Sequence, residues 1–209
     1  YKADAAQLSA DELLYAATLT NDANEKEAIY KKAAECYDKD YRAYNNLAVM
    51  AFNKGDENAA KSYVKQAFAK DQKAPEGYAN LALIALRNGN IAEAESNLSK
   101  AINANGFGEV LGNLNIAKGN YATAVKNFEG SKSNSAALAQ ILNKDYAAAV
   151  ATLKDQKNAD ALSDYLMAIV QNRQGNTAAA QDYLNSAIKK NSALSQYADN
   201  DLEFANLKK

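Results

Sequence analysis

Apolar and polar positions in the middle of the chain alternate in a pattern that occurs twice with a fixed offset. In residues 41–74 the apolar marks are Tyr44, Leu47-Ala48, Ala60, Val64 and Ala67, with Gly55-Asp56 between the two groups. In the stretch that starts at Pro75, Tyr78, Leu81-Ala82, Gly89-Asn90, Ala94 and Ala101 stand 34 residues later, and Asn46 aligns with Asn80. Such a period marks a stack of supersecondary units. Each mark has a physical reason. Gly55 and Gly89 close a first helix where a left-handed backbone is wanted, and Asp56 and Asn90 then cap a second through a side-chain oxygen. Ala48, Ala60 and Ala67 are small because two helices cross closely there, while Leu47 and Val64 fill the space between them.

Outside the centre the pattern continues with departures. Gly119-Asn120-Tyr121 with Ala124 and Phe128, Lys144-Asp145-Tyr146 with Ala149 and Leu153, and Gly175-Asn176-Thr177 with Ala180, Leu184 and Ala187 repeat the turn and second helix. The equivalents of Ala60 are thus spaced 34, 30, 25 and 31, which predicts two regular units over 41–105, shortened, irregular helix pairs over 106–157 and a pair similar to the central ones over 158–190. Gly106, Gly108 and Gly112 crowd one first helix and should weaken it by up to about 1 kcal/mol per interior glycine. A bend is expected between residues 104 and 145. Ser9 with Glu12 and Asp22 with Glu25 read as capping boxes opening helices Ala10–Thr20 and Ala23–Tyr37, a degenerate first pair over 9–37. Ser192 opens a closing segment, 192–209, with Tyr197, Leu202, Phe204 and Leu207 covering the last apolar face.

Composition supports helix throughout. The chain is 48% hydrophobic with one proline, nine glycines and abundant alanine, and alanine forgoes no side-chain entropy in a helix while packing little area on a sheet. The expected fold class is all-α: a single solenoid over 1–209 of about six helix pairs plus a C-terminal cap. Basic and acidic residues number 24 and 25 and are interspersed, so the basic stripe that nucleic acid or an anionic membrane would require is missing. The longest apolar runs are a few residues, far short of the roughly 18 that span a bilayer. Cys36 is the only cysteine and is expected to be a small buried apolar residue. The chain begins at Tyr1 with neither methionine nor signal peptide, which reads as a mature or excised segment of something longer.

The marks over 41–105 resemble the tetratricopeptide-repeat (TPR) family, whose unit is two antiparallel helices of 34 residues, and the resemblance implies a right-handed superhelix. LSADELLYAATLT (8–20), YRAYNNLAV (41–49), NSAALAQIL (134–142) and DLEFANL (201–207) further resemble the repeat region of Bacteroidota OmpA-related outer-membrane proteins. That likeness implies a periplasmic location beside a peptidoglycan-associated domain.

Candidate chemistry is sparse. The chain has no histidine, which excludes histidine-based triads, imidazole zinc sites and the commonest general base near neutral pH. Gly106-Phe107-Gly108 is a fragment of a nucleotide fingerprint and follows a helix, not a strand. Asp38/Asp40 and Asp199/Asp201 lack the further oxygen ligands of a calcium loop and read as helix caps. The thirteen tyrosines read as inter-helix packing, since no arginine-rich groove accompanies them. No enzyme, cofactor or metal is expected.

What remains is a surface. In the TPR family the first helix of each pair lines the concave face, and the resemblance places Arg42, Asn45, Asn46, Val49 and Asn53 there, followed by Glu76, Asn80, Leu83 and Arg87. Asparagine can donate to and accept from a peptide backbone, and two arginines can hold a carboxylate. Asn46 and Asn80 also stand where the repeat itself often has asparagine, so a packing role stays open. Asn45 and Ala79 replace the lysines of a chaperone-type carboxylate clamp. The expectation is a non-catalytic scaffold in the cell envelope that binds a protein or peptide on the concave face. The alternative is a self-association or spacer module in a larger outer-membrane-associated protein. Neither nucleic acid nor a membrane span enters either reading.

Overall fold

The computed structural model describes residues 4–101, 106–157 and 159–207. It is all-helical, with no strand among the described residues. The expected bend begins at residues 104 and 105, and the expected segment boundaries at 105, 158 and 209 also lie outside the described residues. The chain forms two compact units, Tyr1–Val110 and Leu111–Lys209. Among the described residues, six successive helix pairs and a terminal segment are shared between them.

The first unit contains α1 (Ala10–Leu19), α2 (Ala23–Cys36), α3 (Tyr41–Asn53), α4 (Glu57–Lys70), α5 (Pro75–Arg87) and α6 (Ile91–Lys100). A 3-10 turn, Ala5–Gln7, precedes α1. Each helix starts at a local signal. The capping box of α1 is complete, with Ser9 and Glu12 each accepting a backbone N–H of the other. Asp22 Oδ1 accepts from the amides of Asn24 and Glu25 at 2.8 and 3.0 Å, while the Glu25 carboxylate accepts the Thr20 hydroxyl at 2.7 Å. Asp40, Asp56 and Asn90 cap α3, α4 and α6, and Pro75 takes the first turn of α5, where a missing N–H costs nothing. Gly55 and Gly89 adopt φ of +82° and +71°, the left-handed turn that the pattern requires.

The small marks are buried. Ala48, Ala60, Ala67, Ala82 and Ala94 are at most 1% exposed, and Leu13, Ile29 and Leu47 pack with alanines to form the core of the first pairs. Ala59, beside Ala60 on α4, is half-buried against Ala51, Ala60 and Ile84. Cys36, expected inside, is exposed; it is the last residue of α2 and falls where the helix leaves its packed stripe.

The second unit contains α7 (Gly108–Ala117, whose first turn crosses the boundary), α8 (Tyr121–Asn127), α9 (Asn134–Leu142), α10 (Tyr146–Lys154), α11 (Ala161–Arg173), α12 (Thr177–Lys190) and α13 (Leu194–Asn200). A 3-10 segment, Leu202–Leu207, follows. Gly112 is not a defect in α7. A Cβ there would overlap the ring of buried Phe128, so the glycine lets helix and ring approach closely. Lys144 takes the turn position that glycine holds elsewhere, with φ of +66°, a backbone that costs an L-residue roughly 1 kcal/mol or more.

The terminal segment closes the second unit. Phe204 is fully buried and meets Tyr165 edge-on, with ring centroids 5.2 Å apart. Arg173 pairs with Glu203, Asn172 and Asn206 exchange side-chain amide bonds of 2.8 and 2.9 Å, and the Tyr165 hydroxyl donates to Asp201 Oδ2 at 2.7 Å. These polar ties span 30 to 36 residues, so the segment lies along α11 about where a further repeat would place its first helix.

Candidate functional site

All nine candidate residues lie on α3 and α5 of the first unit. The two helices are one repeat apart and run side by side, as two hydrogen bonds show. Asn80 Nδ2 donates to Asn45 Oδ1 at 2.6 Å, and Arg87 Nη1 donates to the Phe52 carbonyl at 2.6 Å. Both bonds span 35 residues, which is the repeat period plus one.

Asn45 and Asn80 are 8% and 9% exposed. One side-chain amide bond joins them between the helices, so they set the spacing of the face and do not form its surface. Asn46, Val49 and Leu83 are half-buried and Asn53 is exposed. Asn46, Val49 and Asn53 follow i, i+3, i+7 spacing and share one face of α3. Leu83 and Arg87 repeat Val49 and Asn53 on α5, one period later.

Both arginines are already engaged. Arg42 Nε lies 3.0 and 3.1 Å from the two oxygens of Asp40, its Nη2 lies 2.6 Å from Oδ2, and its Nη1 reaches Asp11 Oδ1 at 2.7 Å. The Arg42 guanidinium holds the Asp40 carboxyl below its ordinary range, and Asp40 followed by Asp11 pushes the arginine higher still. A ligand carboxylate would have to displace one of these aspartates. Arg87 lies over the Phe52 ring, its guanidinium carbon 3.5 Å from the centroid. From there it binds the last turn of α3, where a cation is favoured by the exposed carbonyls.

Glu76 sits in the first turn of α5, and its Oε2 is buried without a hydrogen-bond donor. The neighbouring Tyr41 hydroxyl is pushed up by burial and then by the Glu76 carboxylate. The partners that sequence reasoning missed are Asp11, Asp40, Tyr41 and Phe52. Asp40 stands two residues before Arg42, within reach of a local pair, while Asp11 is recognisable only once α1 and α3 are side by side.

One aspartate of each acidic pair has a structural partner. Asp40 is the cap of α3, and Asp201 accepts the Tyr165 hydroxyl and the Glu203 amide. Among the described residues no three acidic or cysteine side chains gather as a metal site, and no helix is long and apolar enough to cross a membrane.

Residues 41–69 and 75–106, where the helix pairs are most regular, match the tetratricopeptide-repeat family model. The fold around them is a TPR-like helical solenoid. It is similar to a tetratricopeptide repeat protein from Parabacteroides merdae, with 15% identity over 87% of this chain and 78% of that one and a TM-score of 0.56. It is also similar to the crystal structure of PilW, a widely conserved type IV pilus biogenesis factor, with 15% identity over 96% and 98% of the two chains and a TM-score of 0.58. The APC/C hetero-tetramer Cut9–Hcn1 matches at 17% identity and a TM-score of 0.67, covering 95% of this chain and 42% of that one. No curated protein sequence matches the chain.

Proposed function

We propose that the first unit is a non-catalytic scaffold that binds an extended peptide of a partner protein along α3 and α5. The observation that carries this reading is the paired register of the two helices, which repeats one set of half-buried and exposed side chains at a fixed spacing. An extended segment laid across them would meet Val49 and Leu83 as apolar contacts. It would meet Asn46 and Asn53 as groups able both to donate to and to accept from its main chain. Arg42 and Arg87, held by Asp40, Asp11 and Phe52, shape the two ends of the face. Since Arg42 is already neutralised, main-chain and apolar recognition is favoured over capture of a carboxylate.

The resemblance of the chain to the repeat region of OmpA-related proteins, and its likeness to a pilus biogenesis factor, support a place in the cell envelope. Peptides selected from a displayed random library on the intact chain would test the binding. Their affinity should fall at least tenfold in Val49→Glu and Leu83→Glu variants that melt like the parent. Unchanged affinity in both would move the site off this face.

Self-association is the second reading, and one observation favours it. Tyr15 and Leu19, one turn apart on α1, are 65% and 69% exposed, an unusual pair of large apolar side chains to leave in water. Light scattering at several concentrations should show a mass that rises with concentration and is abolished by Leu19→Ser if α1 is an interface.

A further inference from the structure

The second unit holds a feature that the groove on α3 and α5 does not use. Between the start of α11 and α13 lies a cleft of about 750 Å³, walled by Leu162, Leu194 and Tyr197, with Tyr165 and Asp201 also lining it. Leu162 is 46% and Tyr197 70% exposed. The cleft is therefore mainly apolar and open, and among its lining residues Asp201 is the one that carries a charge.

We propose that this cleft binds a lysine or arginine side chain of a partner protein, together with the bulky apolar residue next to it. Asp201 makes two hydrogen bonds, accepting the Tyr165 hydroxyl on Oδ2 at 2.7 Å and the Glu203 amide on Oδ1 at 2.9 Å. A carboxylate has about four lone-pair sites, so it keeps capacity for a further donor. Two cations of this end of the molecule are held elsewhere: Arg173 by Glu203, and Lys190 by Asp164 at 2.8 Å. Asp201 forms no ion pair among the described residues.

Three classes of occupant can be compared on this chemistry. An anionic ligand would be repelled by Asp201. A purely apolar one would strip water from a carboxylate and return nothing for it. A lysine or arginine lays its methylene stem along Leu162 and Leu194, brings its charge to Asp201, and passes the ring of Tyr197, where a cation is attracted to the aromatic face. The cleft exceeds the volume of one such side chain, which leaves room for an apolar neighbour in the partner sequence. Burial and Asp201 both push the Tyr165 hydroxyl up, so the hydrogen bond that orients the carboxylate persists across the physiological pH range. The site lies in the second unit and does not depend on the peptide groove of the first.

The test uses the intact chain and three labelled hexapeptide pools, identical except at one central position that is lysine, norleucine or glutamate. The preceding position is an equal mixture of leucine, phenylalanine and tyrosine. Fluorescence anisotropy should show the lysine pool binding at least tenfold more tightly than the other two, with the advantage lost in Tyr197→Ala and in Asp201→Asn. Leu162→Ala should weaken all binding that remains. Asp201 also ties the terminal segment through Tyr165 and Glu203, so Tyr197→Ala, at an exposed position, carries the test if Asp201→Asn melts early. Lys65→Ala, at an exposed position on α4 of the first unit, should change nothing. Equal binding of the norleucine or glutamate pool, survival of the lysine preference in Tyr197→Ala, or no binding by any pool would overturn the proposal.

Discussion

The turns that open α4, in the first unit, and α10, in the second, follow one backbone plan but differ at the left-handed residue and in the cap that follows it. At Gly55 the chain passes through φ of +82° without a side chain, and Asp56 then caps α4 through the Ala59 amide at 2.9 Å. At Lys144 it passes through +66° with a side chain attached, and Asp145 Oδ2 instead accepts from the Asn143 side-chain Nδ2 at 2.6 Å. Asn120 and Asn176 likewise stand at N-cap positions without a side-chain cap bond. Helices of the first unit are locally specified at nearly every start. The short helices α7–α10, of seven to ten residues, depend more on packing, since helices of that length are marginal alone.

The largest expected effect breaks the closure of the second unit. Phe204→Ala empties a fully buried site against Tyr165 and should cost about 3 to 5 kcal/mol in a denaturant melt. A loss of less than 1 kcal/mol would mean that the terminal segment is not what covers α11. Next come the crossing points of the first unit. Ala60→Leu or Ala94→Leu should each cost roughly 1 to 3 kcal/mol, because inserted methylenes must separate helices already in contact. Asn58→Leu, at an exposed position on α4, is the control, and a melt that ranks it with the other two would refute the helix register.

Two glycine exchanges sharpen the comparison. Gly112→Ala should destabilise by about 1 to 2 kcal/mol despite the better helix propensity of alanine, since Phe128 is buried and cannot swing away. Gly77→Ala faces the ring of half-buried Phe68, with a closest approach of 2.7 Å, and should cost less; the reverse order would mean that the ring of Phe128 is free to move. Smallest is Lys144→Gly, which relieves a left-handed residue and should stabilise by about 1 kcal/mol. A loss of stability there would show that the lysine side chain contributes more than its backbone costs.

These contrasts also explain what could be read from the sequence. The repeat, the left-handed glycines, the capping box at Ser9 and the small residues at Ala48, Ala60 and Ala94 were legible because each acts within a few residues or recurs at the period. The pairing of Asn45 with Asn80, the stacking of Arg87 on Phe52 and the reach of Arg42 to Asp11 were not. They join helices 31 to 35 residues apart and depend on which rotamer the packed helices leave open. The repeat offset brings Arg87 near residue 53 but does not say whether its guanidinium turns to solvent or to the end of α3. Gly112 misled for a similar reason. Its helix propensity is a local quantity, while its purpose is set by a ring sixteen positions away.

The central claim is that binding is carried by the face shared by α3 and α5. Amide chemical-shift mapping of the intact chain, with and without a peptide selected on it, tests that claim directly. Shifts gathered on Asn46, Val49, Asn53, Leu83 and Arg87, and weak on α4 and α6, are the predicted result. Shifts confined to α4 and α6, or to Leu111–Lys209, would contradict it.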